Sequence, residues 1–264
     1  GLGEIIKHCL DLGVRRFMIG LGGSSTNDGG SGLLVALGLK LFDSQGRLLR
    51  GNPEDLKHLD YVDFSYLDPR IGESLITIMS DVNNPLCGIL GATVVFGPQK
   101  GVQEDELAEL DESLARFGSC CDAHTGKQIS LQAGAGAAGG LGYALQLLGG
   151  VSRSGAEVLF ELIGFDEAVR QAEWVFTGEG RSDSQTLLGK VAHAVSQVAR
   201  RYNVPVTLLS GGLDEASLLN LGPHFAGCFS VISKPMTLEE ALVGSSSMVA
   251  NCAEQLMRLW LAKN

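Results

Sequence analysis

No apolar run in this chain of 264 residues approaches the ~20 needed to cross a bilayer as a helix. The first residues also lack the basic, then apolar, then small-residue order of a secretory signal. Basic residues are outnumbered, 20 Lys and Arg against 30 Asp and Glu, for a formal charge of −10. A nucleic-acid partner is therefore not expected, because a phosphate backbone is met by a basic face, and neither is a membrane partner. Cys9, Cys87, Cys120, Cys121, Cys228 and Cys252 form no CxxC pair and no zinc spacing. A chain of this size needs no disulfide staples, so reduced thiols in a soluble, cytoplasmic protein are the expectation. A Walker A loop is missing too: ahead of Gly189-Lys190 stands Ser184 where the first glycine is required, and Val191 follows where Ser or Thr is needed. Any use of ATP has to proceed without a P-loop. No histidine joins a triad or zinc pattern, and His193, off the apolar stripe of its helix, is expected to be solvated.

Glycine, by contrast, is plentiful: 36 residues, about twice ordinary usage. The glycines cluster and do not repeat, which excludes collagen-like or linker readings and favours functional loops. The chain is organised around one cluster, Gly20 to Gly30, GLGGSSTNDGG, between the apolar run Phe17-Met18-Ile19 and the helix-like stretch at Leu33. Five glycines surround Ser24, Ser25, Thr26, Asn27 and Asp28 there. A strand feeding a helix through such a loop leaves N–H groups at a helix start that favours anions, which makes a phosphate cradle. The alternative is a tight turn with Asn27 or Asp28 as the helix cap.

Hydrophobic spacing predicts helices over Glu4 to Leu12, at Leu33, over Leu107 to Phe117 and from Tyr143 to Leu148. Further helices are expected over Glu157 to Ile163, Asp166 to Ala172, around Val191 to Val198 and over Leu238 to Ala262. The last is read as turning Leu242, Met248, Val249, Cys252, Leu256 and Trp260 towards the core. Strands are expected at Val14 to Ile19, Leu39 to Phe42, Ser74 to Met79, Ala92 to Phe96, Trp174 to Phe176, Val204 to Leu209 and Cys228 to Ile232. Leu49 to Gly72 reads as loops with short helical pieces. Strand, glycine loop and helix in repetition define an α/β fold with a parallel sheet, whose ligand crevice lies at the carboxyl ends of the strands.

Three other runs carry polar groups suited to chemistry. Gly178-Glu179-Gly180-Arg181-Ser182-Asp183-Ser184-Gln185-Thr186, following the expected strand at Trp174, offers a carboxylate, a cation and backbone donors, the parts of a phosphoryl-transfer site, or else a capped loop with a surface ion pair. Asp81 with Asn83 and Asn84 offers hard oxygen ligands for magnesium, or a turn. Lys100 in GPQKG can hold a phosphate as a point charge or stay solvated. GAGAAG from Gly134 to Gly139 matches the GxGxxG dinucleotide fingerprint and supports an NAD(P)-dependent oxidoreductase as the alternative function, although Lys127 to Gln132 makes a poor preceding strand. The competing explanation is that these small residues let a helix end pack closely on backbone or ligand.

Together GLGGSSTNDGG, SDVNNPL at Ser80 to Leu86, FGPQKG at Phe96 to Gly101, GAGAAGGLG at Gly134 to Gly142 and TGEGRSDSQTLLGK at Thr177 to Lys190 resemble the bacterial glycerate kinase family, in the family's order. The resemblance implies ATP-dependent phosphorylation of D-glycerate, with 2-phosphoglycerate as the usual product and Mg2+ as cofactor. It also implies two α/β domains, a flavodoxin-like parallel sheet over residues 1–40 and 155–264 with a restriction-endonuclease-like domain, 41–154, inserted. Relative to the family, roughly a hundred residues ahead of the equivalent of Gly1 are lacking, which implies an incomplete sheet edge and leaves a non-catalytic binding fragment as a further alternative. Asp183, Asp28, Arg181 and Lys190 are the expected catalytic groups. Gly22, Gly23, Ser24, Ser25, Thr26, Asn27, Lys100, Gly178, Glu179 and Gly180 are the expected ATP contacts, and Asp81 and Asp183 the metal ligands. D-glycerate is the expected small-molecule partner, and a homo-oligomer stays open.

Overall fold

The computed structural model describes residues 1–187 and 191–263. Its contacts divide the chain into two compact units, Gly1–Gly155 and Ala156–Asn264.

The first unit runs α1 (Leu2–Asp11), β1 (Arg16–Gly20), α2 (Ser31–Ala36), β2 (Lys40–Asp43), β3 (Leu48–Leu49), α3 (Pro53–Leu56), β4 (Leu59–Asp63), β5 (Leu75–Met79), α4 (Ala92–Phe96), α5 (Leu107–Thr125), α6 (Leu141–Leu147) and β6 (Val151–Arg153). The strands β1, β5 and β6 pair in parallel in the order β1-β5-β6. Met79 is in register with Gly20 on one side and Arg153 on the other, so three strands end at one level. Side-chain alternation sends Phe17, Ile76 and Ile78 into the core with Leu34, Leu145 and Tyr143. A second, antiparallel sheet, β3-β2-β4, stands where the spacing predicts one strand followed by loops. Its turn is held by Asp43, which accepts from the N–H groups of Gln45 and Arg47, both at 2.9 Å, and from Arg47 Nε at 2.6 Å. The Arg47 N–H in particular holds the Asp43 carboxyl below its ordinary range.

Residues 1–40 thus lie with 41–154, and the compact units differ from the expected grouping of 1–40 with 155–264. The physical reason is the pairing of β1 with β5, which ties the first segment to the middle of the chain. Ala92–Phe96, expected as a strand, is a short helix. Its β-branched residues favour a strand locally, but Ala92 and Thr93 are fully buried here and α4 packs on α5. Helix α5 follows its apolar spacing, with Leu114 and Phe117 buried. At its far end Asp122 accepts from the N–H groups of Ile129 and Ser130 and from Ser130 Oγ, and Tyr143 OH lies 3.0 Å from its Oδ1. That junction anchors the chain entering the Gly134–Gly140 loop.

The second unit runs α7 (Gly155–Ile163), α8 (Phe165–Arg170), β7 (Val175–Ser182), α9 (Val191–Arg201), β8 (Val206–Leu213), α10 (Leu218–Leu221), β9 (Gly227–Ser230) and α11 (Leu238–Lys263). Its three strands are all parallel, in the order β7-β8-β9. Val195, Val198 and Ala199 of α9 pack with Val206, Leu208 and Phe225. Of the face Val191, Ala194, Val195 and Val198 that the spacing predicts for α9, Val195 and Val198 are buried while Val191 is exposed, and Ala192 is buried in its place. Helix α11 meets β8 through Met248, Cys252 and Leu256, spaced by four, while Trp260 stacks on Trp174 at 4.8 Å. Leu242 and Val249, expected in the core, are 67% and 44% exposed, because they lie off that stripe. Among the described residues no helix is long and apolar enough to cross a membrane.

The first unit's loops are held backbone against backbone at Gly139, where φ is +68° and an added Cβ would overlap the Thr26 carbonyl. Gly139→Ala is expected to destabilise the protein by roughly 2–4 kcal/mol, read as a lowered urea midpoint in circular dichroism.

Candidate active site

In the first unit, β1 and β5 run parallel, so the loops leaving them emerge side by side. Leu21 N–H donates to the Met79 carbonyl at 3.0 Å, and Ser80 N–H to the Arg153 carbonyl at 3.1 Å. The fingerprint-like loop joins them: Gly29 N–H donates to Gly139 O and Gly136 N–H to Asn84 O, each at 2.9 Å. Lys100 completes the set, its Nζ donating to the Thr26 carbonyl at 2.7 Å. Four of the runs singled out in the sequence, at Gly20, Ser80, Phe96 and Gly134, therefore meet within one unit.

Their roles differ from the simplest expectation. Asp28 turns back on the start of α2, whose N-cap residue is Gly30: its Oδ1 accepts from Gly30 N–H at 2.9 Å and Thr26 Oγ1 at 2.8 Å, and its Oδ2 from Gly32 N–H at 3.4 Å. Two N–H groups at the start of α2 are thereby taken up, that of Gly32 by the Asp28 carboxylate and that of Ser31 by the Asp28 carbonyl at 3.1 Å. What remains open is the loop ahead of it. Among the described residues, the N–H groups from Gly22 to Asn27 make no hydrogen bond, and Gly22, Gly23 and Ser25 are exposed. Asn27 donates from Nδ2 to Thr93 Oγ1 at 3.0 Å, while its buried Oδ1 has no partner. Burial lowers the Lys100 pKa, partly opposed by the Asp28 charge. Asp81 is exposed in the neighbouring loop.

The GxGxxG run has no strand before it. Ile129–Leu131 is a 3-10 turn, and the glycines of the run serve close packing, Gly136 against the Pro85 carbonyl and Gly139 against the Thr26 carbonyl. The dinucleotide reading fails on that context.

In the second unit the expected loop after Phe176 is instead the end of β7, which continues to Ser182 in register with β8: Glu179 opposite Ser210, Arg181 opposite Gly212. Gly178 and Gly180 are strand residues. A side chain on Gly178 would come within 2.7 Å of the Leu209 carbonyl, so the two backbones pack where only glycine fits. Glu179 Oε1 accepts from Thr186 Oγ1 at 2.5 Å and Ser182 Oγ at 2.9 Å. Asp183 follows the strand, its Oδ1 accepting from Gln185 N–H at 2.9 Å, with Arg181 Nε 4.0 Å from its Oδ2. Lys190, an expected catalytic group, lies outside the described residues. Thr93, Ser182, Thr186 and Ser210 were not assigned from sequence; the hydroxyls of Ser182 and Thr186 within TGEGRSDSQT were the available signal. His193, expected to be solvated, is half-buried beside His224, with ring centroids 4.8 Å apart.

No three His, Cys, Asp or Glu side chains gather as a metal centre among the described residues. Magnesium commonly takes one or two carboxylates and completes its shell with phosphate and water oxygens, a demand that Asp183 and Asp81 suit as single donors, each in its own unit.

These features define an α/β protein whose glycine-rich loops and carboxylates stand at the carboxyl ends of parallel strands. A family model described as the Glycerate kinase family matches residues 1–261. The chain is 38% identical over 260 residues to a glycerate kinase of Haemophilus influenzae, covering 98% of this chain and 69% of that protein. It is 37% identical over 257 residues to glycerate 2-kinase of Escherichia coli, covering 97% and 68%. A crystal structure of a protein assigned as glycerate kinase 2 from Salmonella typhimurium LT2 superposes with a TM-score of 0.83 at 40% identity, covering 100% of this chain and 69% of that one. The chain belongs to the glycerate kinase family, a family of phosphotransferases.

The Lys100 shift gives a signed stability test. Its folded pKa lies below the unfolded one, so between those values the unfolded state binds more protons and folding stability rises with pH. Relative to Lys100→Met, the wild type is expected to gain stability as pH climbs into the ordinary lysine range and to gain no more above it. Urea midpoints of both proteins across that range provide the measurement.

Proposed function

We propose that this protein transfers the γ-phosphoryl group of ATP to D-glycerate, with 2-phosphoglycerate as the product. The observation that carries the reading is the family match along residues 1–261, joined to the placement of the family-like motifs at strand ends within their units. Phosphoryl transfer is mostly positioning and charge neutralisation, and the donors present suit it. The unpaired N–H groups from Gly22 to Asn27 face anionic oxygens without desolvation of a charged side chain. Lys100, already tied to the Thr26 carbonyl, has further N–H donors for the same oxygens. Asp28, bonded to the Gly30 and Gly32 N–H groups, holds that loop in shape and does not serve as the base. Asp183 is assigned to take the hydroxyl proton of glycerate or to hold the metal, and Arg181 to offset developing negative charge. Bound Mg2+ supplies charge neutralisation on the phosphates.

A reaction that consumes ATP fits a cytoplasmic location. Of the two domain descriptions, flavodoxin-like suits the all-parallel β7-β8-β9 sheet with its flanking helices.

A coupled assay of ADP release with D-glycerate, with the product identified by phosphorus NMR, tests the reading. Asp183→Asn is expected to lower kcat by about 100-fold or more. Full activity in that variant would remove Asp183 from the mechanism, and glycerate binding without any turnover by the wild type would favour a non-catalytic role.

A further inference from the structure

The carboxylate of Glu179 was expected to touch the nucleotide, yet the second unit surrounds it with buried hydroxyls. Ser182 and Thr186 are fully buried and Ser210 is 1% exposed. Two of those hydroxyls, on Thr186 and Ser182, point at one carboxylate oxygen, Glu179 Oε1. Counting protons assigns the directions. A carboxylate oxygen only accepts, so both hydroxyls donate to it. Ser210 Oγ, 2.7 Å from the Gly212 carbonyl and 2.9 Å from Ser182 Oγ, then has its single proton for those two acceptors.

Thr186 is the informative member. Its Oγ1 donates to Glu179 and at the same time accepts from the Asp183 N–H at 3.1 Å. The Thr186 N–H returns to the Asp183 carbonyl at 3.0 Å, so Asp183 is gripped on both sides of its peptide. The result is a directional chain, Asp183 N–H to Thr186 hydroxyl to Glu179 carboxylate, fixed on strand β7. Charge on its last acceptor polarises the hydroxyl and strengthens its hold on the Asp183 peptide.

We propose that Thr186, anchored by Glu179, is a positioning residue that sets the place of the Asp183 carboxylate and touches neither substrate. The proposal rests on the kinase reading above and deepens it. It moves Glu179 from nucleotide contact to anchor and gives Thr186 a part that no motif assigned. A side chain of similar shape that can neither accept nor donate leaves the Asp183 N–H without its partner and the Glu179 oxygen with one hydroxyl fewer. The carboxylate of Asp183 then samples a wider range of positions, and small misplacements of a reacting group are costly in rate.

The experiment is a double-mutant cycle in the coupled assay, run on Thr186→Val, Thr186→Ser, Asp183→Asn and the Thr186→Val/Asp183→Asn pair, with thermal melts of each. Thr186→Val is expected to lower kcat by about 10- to 100-fold with the KM for D-glycerate within about twofold. Thr186→Ser, which keeps the hydroxyl, is expected to restore kcat to within about threefold of wild type. In the Asp183→Asn background Thr186→Val is expected to cost no further activity, because the group it positions is gone. Should Thr186→Val fail to fold, Thr186→Ala carries the same expectations. Additive losses in the cycle, or wild-type kcat in the Val or Ala variant, would overturn the relay while leaving the kinase reading in place. A wild-type chain with no turnover would overturn both.

Discussion

The first unit depends on two backbones touching where no side chain fits. Gly29 and Gly139 are joined by a 2.9 Å hydrogen bond, and a Cβ on Gly139 or Gly140 would collide with Thr26 or Gly29. That contact holds the Gly20–Gly30 loop against the 134–140 loop, and Lys100 and Asn84 add bonds from two more segments. Among the described residues, the N–H groups of Gly22 to Asn27 and the buried Asn27 Oδ1 stay unpaired beside that contact. In a folded protein, unpaired backbone donors gathered on an exposed loop are a place for an anion.

The second unit solves the same problem with side chains. Its carboxylate, Glu179, is held among hydroxyls, and each hydroxyl is used by a neighbour. A polar network of this kind is worthwhile in a buried place only when nearly every member is satisfied, and this one fixes the end of β7 against β8 and the start of the Asp183 turn. The two units thus use opposite means, bare backbone in one and paired side chains in the other, to present polar groups at the carboxyl ends of parallel strands.

Much of this was legible in the residues. The strand at Phe17, the helix at Leu107 and the parallel arrangement follow from apolar spacing, since burial of one face imposes the period. The failures have physical causes. Ala92–Phe96 reads as a strand because Thr and Val favour extended backbone, but packing against α5 overrides local preference. The run from Thr177 reads as a loop because glycine usually breaks strands, whereas here Gly178 and Gly211 permit close approach within the sheet. Asp28 stays open in the sequence between a chemical group and a turn residue, because its spacing to Gly30 and Gly32 does not reveal whether the backbone turns to meet it.

By itself the amino-acid sequence determined the α/β class, the family through its ordered motifs, and the loops in which polar chemistry collects, because those properties reside in residue type and local spacing. Only the tertiary structure decided that β1 joins β5, that Asp28 turns back onto the Gly30 and Gly32 N–H groups, and that Thr186 stands between Glu179 and Asp183. Each of those depends on which distant or turned-back group arrives within about 3 Å of another, a distance that residue order does not encode.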